Sequence, residues 1–515
     1  MRNRLLAFCA VQAVMAWTVA AQDAQSVLQA AATAMGATNL KSIQYSGTGW
    51  KGALGQSFSP DLDWPRSEIT SYTRTIDFDA KSSREEMVRI QGNNPARGGG
   101  GTPIEGERRE VFLVSGNYAW NIVGDNVVPA PAAAEIRQLE IWLTPHGFLK
   151  AAMAGNPTAI SRYEYVGGRY EYAGGERVTV VSFTALGKYR VNGTINSENL
   201  VVRVQTWVPN PVVGDMYYEN VYTNYQDFGG LKIPGNFHQH QDIDDNERKP
   251  NVSGGDHAFG LNVTNAQANV SVAPLEVPAA VREATIPLVR VESQKLADGV
   301  WYLGGGSHNS VAVEFRDHSV VVEAPLNEER SLAVIDEVAR LIPNKPIRFL
   351  VSTHHHWDHI GGMRAYVHHG ATVIMHEWNR PYYEELVIAR RWILQPDRLS
   401  LYPPEEVAEG YTFETFREKY ILTDGTRDLE IHHVQGLNHS TGMLMAYLPQ
   451  EKIVVEADLY SPPSGAQATP ATPNASNRTF WQNVRRLNLD IATIVPIHGP
   501  AVPMSDFMNL MGEAQ

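Results

Sequence analysis

Cysteine is almost missing from this sequence of 515 residues. Its only cysteine is Cys9, within an N-terminal segment that we expect to be removed from the mature protein. A chain without cysteine forms no disulfide and has no thiolate to act as a nucleophile or a metal ligand. The chemistry of the mature protein must therefore use other side chains.

Positive charge is also scarce. The chain has 43 Lys and Arg against 56 Asp and Glu, which gives a formal net charge of −13. Because nucleic-acid binding depends on basic side chains that neutralise phosphates, this balance argues against a nucleic-acid partner. We expect a small-molecule substrate instead.

The first residues have the pattern of a secretory signal peptide. Arg2 and Arg4 precede an apolar stretch that runs to about Val19, and the small residues Ala20 and Ala21 follow. This pattern predicts cleavage after Ala21 and a periplasmic or secreted protein. An uncleaved anchor is the alternative, but the apolar run is short for a full span, so we do not expect membrane association.

Residues 22–290 are predicted to form a mainly antiparallel β domain. Segments such as "RVTVVSFTA" and "LVVRVQTWV" alternate apolar and polar residues, and Gly, Asn or Ser turns separate them. Two helices are expected, in "AQSVLQAAATAMG" and in "AAAEIRQLEIWL" at 132–143, and "ARGGGG" at 96–101 is expected to be a flexible loop. The segment 218–237 resembles the curved sheet of periplasmic lipoprotein-carrier domains, and 272–293 is the predicted linker.

Residues 291–515 have a different pattern, which predicts an α/β domain. "VWYLGGGSHNSVAVEF" and "HSVVVEAP" are predicted strands, "ERSLAVIDEVARLI" a helix, and "IRFLVST" a buried strand. That strand leads directly into "HHHWDH", where His354 and His356 are two residues apart and project to one side of an extended chain. Sites in such sheets lie at the carboxyl ends of strands, and imidazoles with carboxylates are the natural ligands of zinc. We therefore predict a metal site here.

Three further residues follow predicted strands downstream. They are His439 in "GLNHSTG", Asp458 in "VVEADLY" and His498 in "VPIHGP". Each one alone would more often be structural than a ligand. Three in this order, after the histidine cluster, favour one shared site.

Together these residues resemble the motifs of the metallo-β-lactamase superfamily of αββα hydrolases, over roughly 295–515. The resemblance implies an α+β chain whose C-terminal half has this fold. It also implies two metal ions, with zinc expected and iron or manganese as alternatives. The first would be held by His354, His356 and His439, the second by Asp358, His359 and His498, and Asp458 would bridge them. Glu323 stands where the family usually has aspartate, and is expected to support the metal loop.

The function that the resemblance implies is hydrolysis by a metal-bridging hydroxide. Asp358 would orient it and pass a proton, and Tyr460 is a candidate oxyanion donor. Asp458 favours esters, thioesters or lactones over β-lactams, because lactam-hydrolysing members usually have Cys or Ser there. The alternatives are a β-lactamase, a mononuclear iron persulfide dioxygenase, and a binding protein for a hydrophobic ligand with a degenerate hydrolase domain.

Other residues near the motifs receive secondary predictions. His355 should point away from the ions, and His308 is a candidate for the pocket wall. The aromatic and arginine-rich region 377–420 is either a lid over an apolar or anionic substrate or a packed cover. Residues 461–477 are expected to form a mobile loop beside the site.

Overall fold

The computed structural model describes residues 24–164, 176–242, 257–271, 273–386, 392–403, 413–462 and 472–513. The predicted signal peptide, residues 1–21, and most of the predicted loop 461–477 lie outside these ranges. Among the described helices, none combines the length and the apolar character needed to cross a membrane.

Thirteen strands of the described N-terminal residues form one antiparallel sheet, as the sequence predicted. Their order across the sheet is β6-β5-β4-β3-β2-β1-β13-β12-β11-β10-β9-β8-β7. The strands are β1 (Ser42–Gly52), β2 (Arg66–Asp77), β3 (Ser82–Ile90), β4 (Arg108–Ser115), β5 (Tyr118–Val123), β6 (Asn126–Pro129), β7 (Thr158–Glu164), β8 (Glu176–Ala185), β9 (Tyr189–Ile195), β10 (Val201–Asn210), β11 (Gly214–Asp227), β12 (Lys232–Asp242) and β13 (His257–Ala268).

Three helices pack on one face of this sheet. They are α1 (24–34), α2 (Ala134–Trp142) and α3 (Pro145–Ala154). Leu28, Leu139 and Phe148 share an apolar cluster with strand residues. The first two helices were predicted, whereas α3 was not. The side chain of Thr144 caps α3 by accepting a hydrogen bond from Gly147 N at 3.2 Å.

A cavity of about 630 Å³ lies between this sheet and α2. Tyr45 and Tyr72 supply aromatic surface, but Arg74, Glu85 and Glu140 also line it. The hydroxyl of Tyr72 donates to Glu85 Oε1 at 2.7 Å. With six charged side chains in its wall, the cavity is a poor match to the hydrophobic ligand of the binding-protein alternative.

The described C-terminal residues form two further sheets. The seven-stranded sheet comprises β14 (Glu292–Ala297), β15 (Val300–Gly304), β16 (Ser310–Glu314), β17 (Ser319–Val322), β18 (Ile347–Val351), β19 (Thr372–His376) and β20 (Phe413–Phe416). The six-stranded sheet comprises β21 (Lys419–Thr423), β22 (Asp428–His433), β23 (Leu444–Leu448), β24 (Ile453–Glu456), β25 (Thr493–Pro496) and β26 (Val502–Pro503). Strands β17 to β20 are parallel, as are β24 and β25.

The two sheets face each other with helices on both outer sides. Val313 and Val351 of one sheet share a fully buried cluster with Ile431 and Val455 of the other. The remaining helices are α4 (Ala279–Glu283), α5 (Glu328–Leu341), α6 (Trp357–Ile360), α7 (Met363–His368), α8 (Arg380–Glu384), α9 (Arg398–Leu401), α10 (Ala475–Leu487) and α11 (Met504–Met511). Of these, α5 and α7 cover the seven-stranded sheet, and α10 and α11 cover the other. The layers are therefore helix, sheet, sheet and helix.

A buried arginine fastens the linker to the C-terminal domain. Arg330 of α5 donates to the carbonyl of Arg290, and also to those of Leu303 and Gly304 at 2.9 Å each. Arg330 is only 2% exposed. Because a charged donor binds the three carbonyls where water is excluded, these hydrogen bonds stabilise the start of the domain.

We expect Arg330→Met to lower the free energy of unfolding of the C-terminal domain by roughly 2–4 kcal/mol, since it leaves buried carbonyls without donors. Urea denaturation followed by tryptophan fluorescence measures the change. Arg340→Met on the same helix is the matched control. Arg340 forms an exposed ion pair with Glu337, so its loss should change stability by no more than about 0.5 kcal/mol. Equal effects of the two substitutions would contradict this account.

Candidate metal centre

The carboxyl ends of several C-terminal strands bring one group of ligands together. His354 and His356 follow β18, His439 follows β22 and Asp458 follows β24. One potential ligand atom from each lies within 4.8 Å of all the others. His354 Nε2 is 2.9 Å from His356 Nδ1, and Asp458 Oδ2 is 3.2 Å from both His354 Nε2 and His439 Nε2.

A second group lies beside the first. It contains Asp358, His359, His498 and His308, and its ligand atoms also fall within 4.8 Å of one another. His359 Nε2 and His498 Nε2 are 3.2 Å apart, and His308 Nε2 is 3.1 Å from Asp358 Oδ2. The structure therefore gathers all seven predicted ligands into two groups. It adds His308, which was expected only in the pocket wall.

Asp458 lies between the two groups. Its Oδ2 is 3.2 Å from His354 Nε2 and 3.0 Å from His359 Nε2, while its Oδ1 is 3.1 Å from His498 Nε2. Its backbone is left-handed, with φ of 59°. A non-glycine residue is held in that region only when its surroundings demand it, and such residues concentrate at functional sites. Here the turn aims one carboxylate at both groups.

The donor set fits divalent metal ions. Asp458 Oδ2 and His439 Nε2 are buried and make no hydrogen bond within the described part of the chain, although they lie 3.2 Å apart. Burial holds the pKa of His354 and His356 well below the usual value, so both rings are neutral, as ligands must be. Burial opposes protonation of His359 as well, but the nearby Asp458 and Glu323 carboxylates raise its pKa well above normal. The electrostatic field there favours a positive charge.

Glu323 orients two of the imidazoles from behind. The Thr353 hydroxyl donates to Glu323 Oε2 at 2.5 Å, and His354 Nδ1 lies 3.0 Å from that hydroxyl. His359 Nδ1 is 3.3 Å from the same carboxylate oxygen. With Nδ1 engaged on both rings, each Nε2 is left to face the ligand group. Glu323 thus lies at the supporting position that the sequence predicted for it.

The N-terminal domain also contributes to this site, which sequence reasoning missed. The loop after β1 places the carbonyl of Ser57 2.9 Å from His356 Nε2, so that Nδ1 of the ring faces the other ligands. In the same loop, Gln56 Nε2 donates to Asp358 Oδ1 at 2.7 Å. Gly100 N holds the Gln56 amide by donating to Oε1 at 2.8 Å. No local motif marks these residues, because their partners lie about 300 positions away.

Glycines allow the two domains to approach this closely. Gly55 has φ of 68°, and a Cβ there would lie 2.1 Å from the Trp357 ring. A Cβ on Gly99 would lie 2.1 Å from Gln56 Oε1 and 2.8 Å from the His356 ring. The run 96–101, expected to be a flexible loop, is therefore packed against the metal loop. Its glycines serve close approach of the backbone.

Two other predicted residues lie outside the ligand groups. His355 points away from them, as predicted, and its ring nitrogens contact the hydroxyls of Ser57 and Ser440 at 3.2 Å each. Tyr460 was the candidate oxyanion donor, but its buried ring packs at 5.0 Å against Phe507 in the apolar cluster beneath α10 and α11. The role proposed for its hydroxyl stays a prediction.

The described part of 377–420 forms a packed cover. Tyr382 accepts a hydrogen bond from Trp357 Nε1 at 2.7 Å, and a buried ion pair joins Arg364 to Asp397. Ile393 N donates to Asp215 of the N-terminal domain at 3.1 Å. These contacts favour the packed cover over a substrate lid for the described residues.

The two-sheet fold and the paired ligand groups define a domain built around a metal centre. Residues 303–498 match the family model for the metallo-beta-lactamase superfamily. The C-terminal half therefore carries a domain of this superfamily, a family of metal-dependent hydrolases. The prediction of the C-terminal fold and its place in the chain is confirmed.

Several solved structures are similar to this chain. A metallo-beta-lactamase from Pontibacter korlensis is 20% identical with a TM-score of 0.32, and the alignment covers 44% of this chain and 98% of that protein. One from Hirschia baltica is 19% identical with a TM-score of 0.31, covering 43% and 97%. Rubredoxin oxygen:oxidoreductase from Desulfovibrio gigas is 15% identical with a TM-score of 0.32, covering 43% and 60%. A comparison with curated proteins gave no match.

We expect Glu323→Gln to weaken zinc binding by roughly 10- to 100-fold, because a neutral amide is a weaker acceptor than the carboxylate for the Thr353 hydroxyl and the His359 ring. Competition with a chromogenic chelator measures the affinity. Glu314→Gln is the control, since Glu314 pairs with Lys345 away from the site. Equal zinc affinity of the Glu323 variant and the unmodified protein would contradict the supporting role.

Gln56→Ala should lower kcat/KM by roughly tenfold or more while leaving the metal content unchanged. It removes a hydrogen bond to the Asp358 carboxylate but no ligand. Gln44→Ala is the matched control, because Gln44 donates to Thr75 within the same N-terminal sheet. Loss of metal in the Gln56 variant, or unchanged kinetics, would show that this contact does not position Asp358.

Proposed function

We propose that this protein is a dinuclear zinc hydrolase that cleaves an ester, thioester, lactone or related bond in a small molecule. The observation that carries the proposal is the place of Asp458, whose two carboxylate oxygens reach ligands of both groups. A carboxylate in that position can join two ions in one centre. The superfamily match of residues 303–498 supports a hydrolytic use of the centre.

The chain offers a separate set of donors to each ion. His354, His356 and His439 would hold the first, and Asp358, His359 and His498 the second, with Asp458 shared. When bound, two such ions supply Lewis acidity and a water acidified toward neutrality. No thiol or serine nucleophile is needed, which agrees with a chain whose only cysteine is Cys9.

Asp358 is the residue proposed to handle the proton. Gln56 donates to its Oδ1, and His308 Nε2 lies 3.1 Å from its Oδ2. The carboxylate is therefore fixed from both sides at the edge of the second group. The histidine contact and the positive field of His359 overcome burial and lower its pKa. Asp358 is thus ionised over the neutral range.

The completeness of the second group favours the hydrolase over the mononuclear iron dioxygenase. A single-metal enzyme needs no second set, yet Asp358, His359 and His498 all converge. Intact ligands likewise argue against a degenerate hydrolase domain. The proposed setting is the periplasm or the cell exterior, on the pattern of residues 1–21. N-terminal sequencing of exported protein tests that setting.

The decisive experiment pairs elemental analysis with a substrate panel. Zinc-loaded protein is assayed on chromogenic esters, thioesters, lactones and a β-lactam. We expect hydrolysis of at least one of the first three classes, and a loss of about 100-fold or more in kcat for Asp358→Asn. The variant should also hold one zinc ion fewer than the unmodified protein.

Asp336→Asn is the matched control, because Asp336 is exposed on α5 and should leave both rate and metal content unchanged. Activity that survives removal of metal by a chelator would refute the proposal. One iron per chain together with oxygen consumption would establish the dioxygenase instead.

A further inference from the structure

Three histidines outside the C-terminal centre meet on one face of the N-terminal sheet. His238 and His240 lie two residues apart on β12, so their side chains project to the same face. His257 begins β13 and is paired in register with His240. Two adjacent strands therefore bring three imidazoles to one place. The spacing of His238 and His240 is the same as that of His354 and His356, but only the pairing of β12 with β13 brings in His257.

Their ring geometry matches that of the predicted metal centre. His238 Nε2 is 2.9 Å from His257 Nδ1, and the three ring centroids are 4.5, 5.0 and 5.2 Å apart. At the C-terminal centre, the His354 and His356 nitrogens are also 2.9 Å apart, with centroids at 4.4 Å. One potential ligand atom from each of the three N-terminal histidines lies within 4.8 Å of the other two.

A half-buried carboxylate orients one of these rings. His240 Nδ1 is 2.9 Å from Glu219 Oε2, and the Glu219 side chain is only 13% exposed. Tyr217 holds this carboxylate by donating to Oε1 at 2.9 Å. With Nδ1 facing Glu219, Nε2 is the nitrogen of His240 that would bind an ion. A carboxylate behind a histidine ligand is the usual support in zinc sites.

An aromatic wall closes one side of the cluster. The edge of Trp50 meets the ring of His238 at a centroid distance of 5.6 Å and that of His257 at 6.5 Å. Gly260 leaves room for this wall, since a Cβ there would lie 2.4 Å from Trp50 Nε1. The wall limits the rotation of two of the three rings. It therefore keeps them close to the arrangement that a shared ion requires.

We propose that His238, His240 and His257 bind one divalent transition-metal ion of the zinc class, separate from the C-terminal centre. Three imidazoles suit zinc, copper, nickel or cobalt, and water or another ligand would complete the coordination. Because the ion would join β12 to β13, it would stabilise the middle of the sheet whenever it binds the folded chain more tightly than the unfolded one. This proposal does not depend on the proposed hydrolase function.

The test compares zinc stoichiometry in full-length protein. The protein is stripped with a chelator, loaded with zinc alone, separated from free metal and analysed for metal content. We expect the double variant His238→Gln, His240→Gln to hold one ion fewer than the unmodified protein, with its C-terminal ions retained. Equal zinc content in the two proteins would overturn the proposal.

Two further variants keep the test decisive. The double variant His368→Gln, His369→Gln removes a neighbouring histidine pair at the end of α7 and should lose no ion. Glu219→Gln keeps all three ligands and should weaken binding of the additional ion by roughly 10- to 100-fold. If the first double variant does not fold, unchanged zinc affinity of Glu219→Gln at that site refutes the proposal.

Discussion

The C-terminal domain has to bury a cluster of polar side chains that water would otherwise solvate. Six imidazoles and two carboxylates converge where the strands end, with His354 and His356 completely buried and Asp458 only 18% exposed in its side chain. Burial of a carboxylate without compensation is costly, and hydrogen bonds within the described residues leave Asp458 Oδ2 unsatisfied. Cations bound in this cluster would balance that cost. A cation site would account for both the left-handed turn at Asp458 and the position of the Glu323 carboxylate behind the histidines.

The same constraint explains why the N-terminal domain contacts the candidate metal centre. His356 Nε2 and Asp358 Oδ1 each have their partner in the N-terminal domain. The carbonyl of Ser57 and the amide of Gln56 provide these partners from one loop. The loop after β1 is thus part of the candidate metal centre. The same contacts join the two domains.

The sequence was sufficient to predict the features that depend on local pattern. Strand alternation predicted the antiparallel sheet, and the spacing of His354, His356, Asp358 and His359 predicted the metal loop. His439, Asp458 and His498 could be added because each follows a strand. What the sequence could not supply was register and long-range contact. Pairing of β12 with β13, which unites His238 with His257, depends on which residues face each other across two strands.

One error has a local physical cause. Helix α3 was missed because its segment opens with Pro145 and contains Gly147, residues that usually mark turns, although Pro suits a first helical position. The prediction that Tyr460 is an oxyanion donor rests on its sequence proximity to Asp458, and its ring contacts that of Phe507 in α11.

The fit of Gly55 against Trp357 has an evolutionary consequence. Trp357 lies between the ligands His356 and Asp358, and its ring occupies the space that a side chain at position 55 would need. An unrelated domain that replaced the N-terminal half would have to reproduce Gly55, the side-chain amide of Gln56 and the carbonyl of Ser57 together. Substitutions at the metal loop are likewise restricted by its contacts with the N-terminal domain. The two halves are therefore constrained to be inherited and to diverge as one unit.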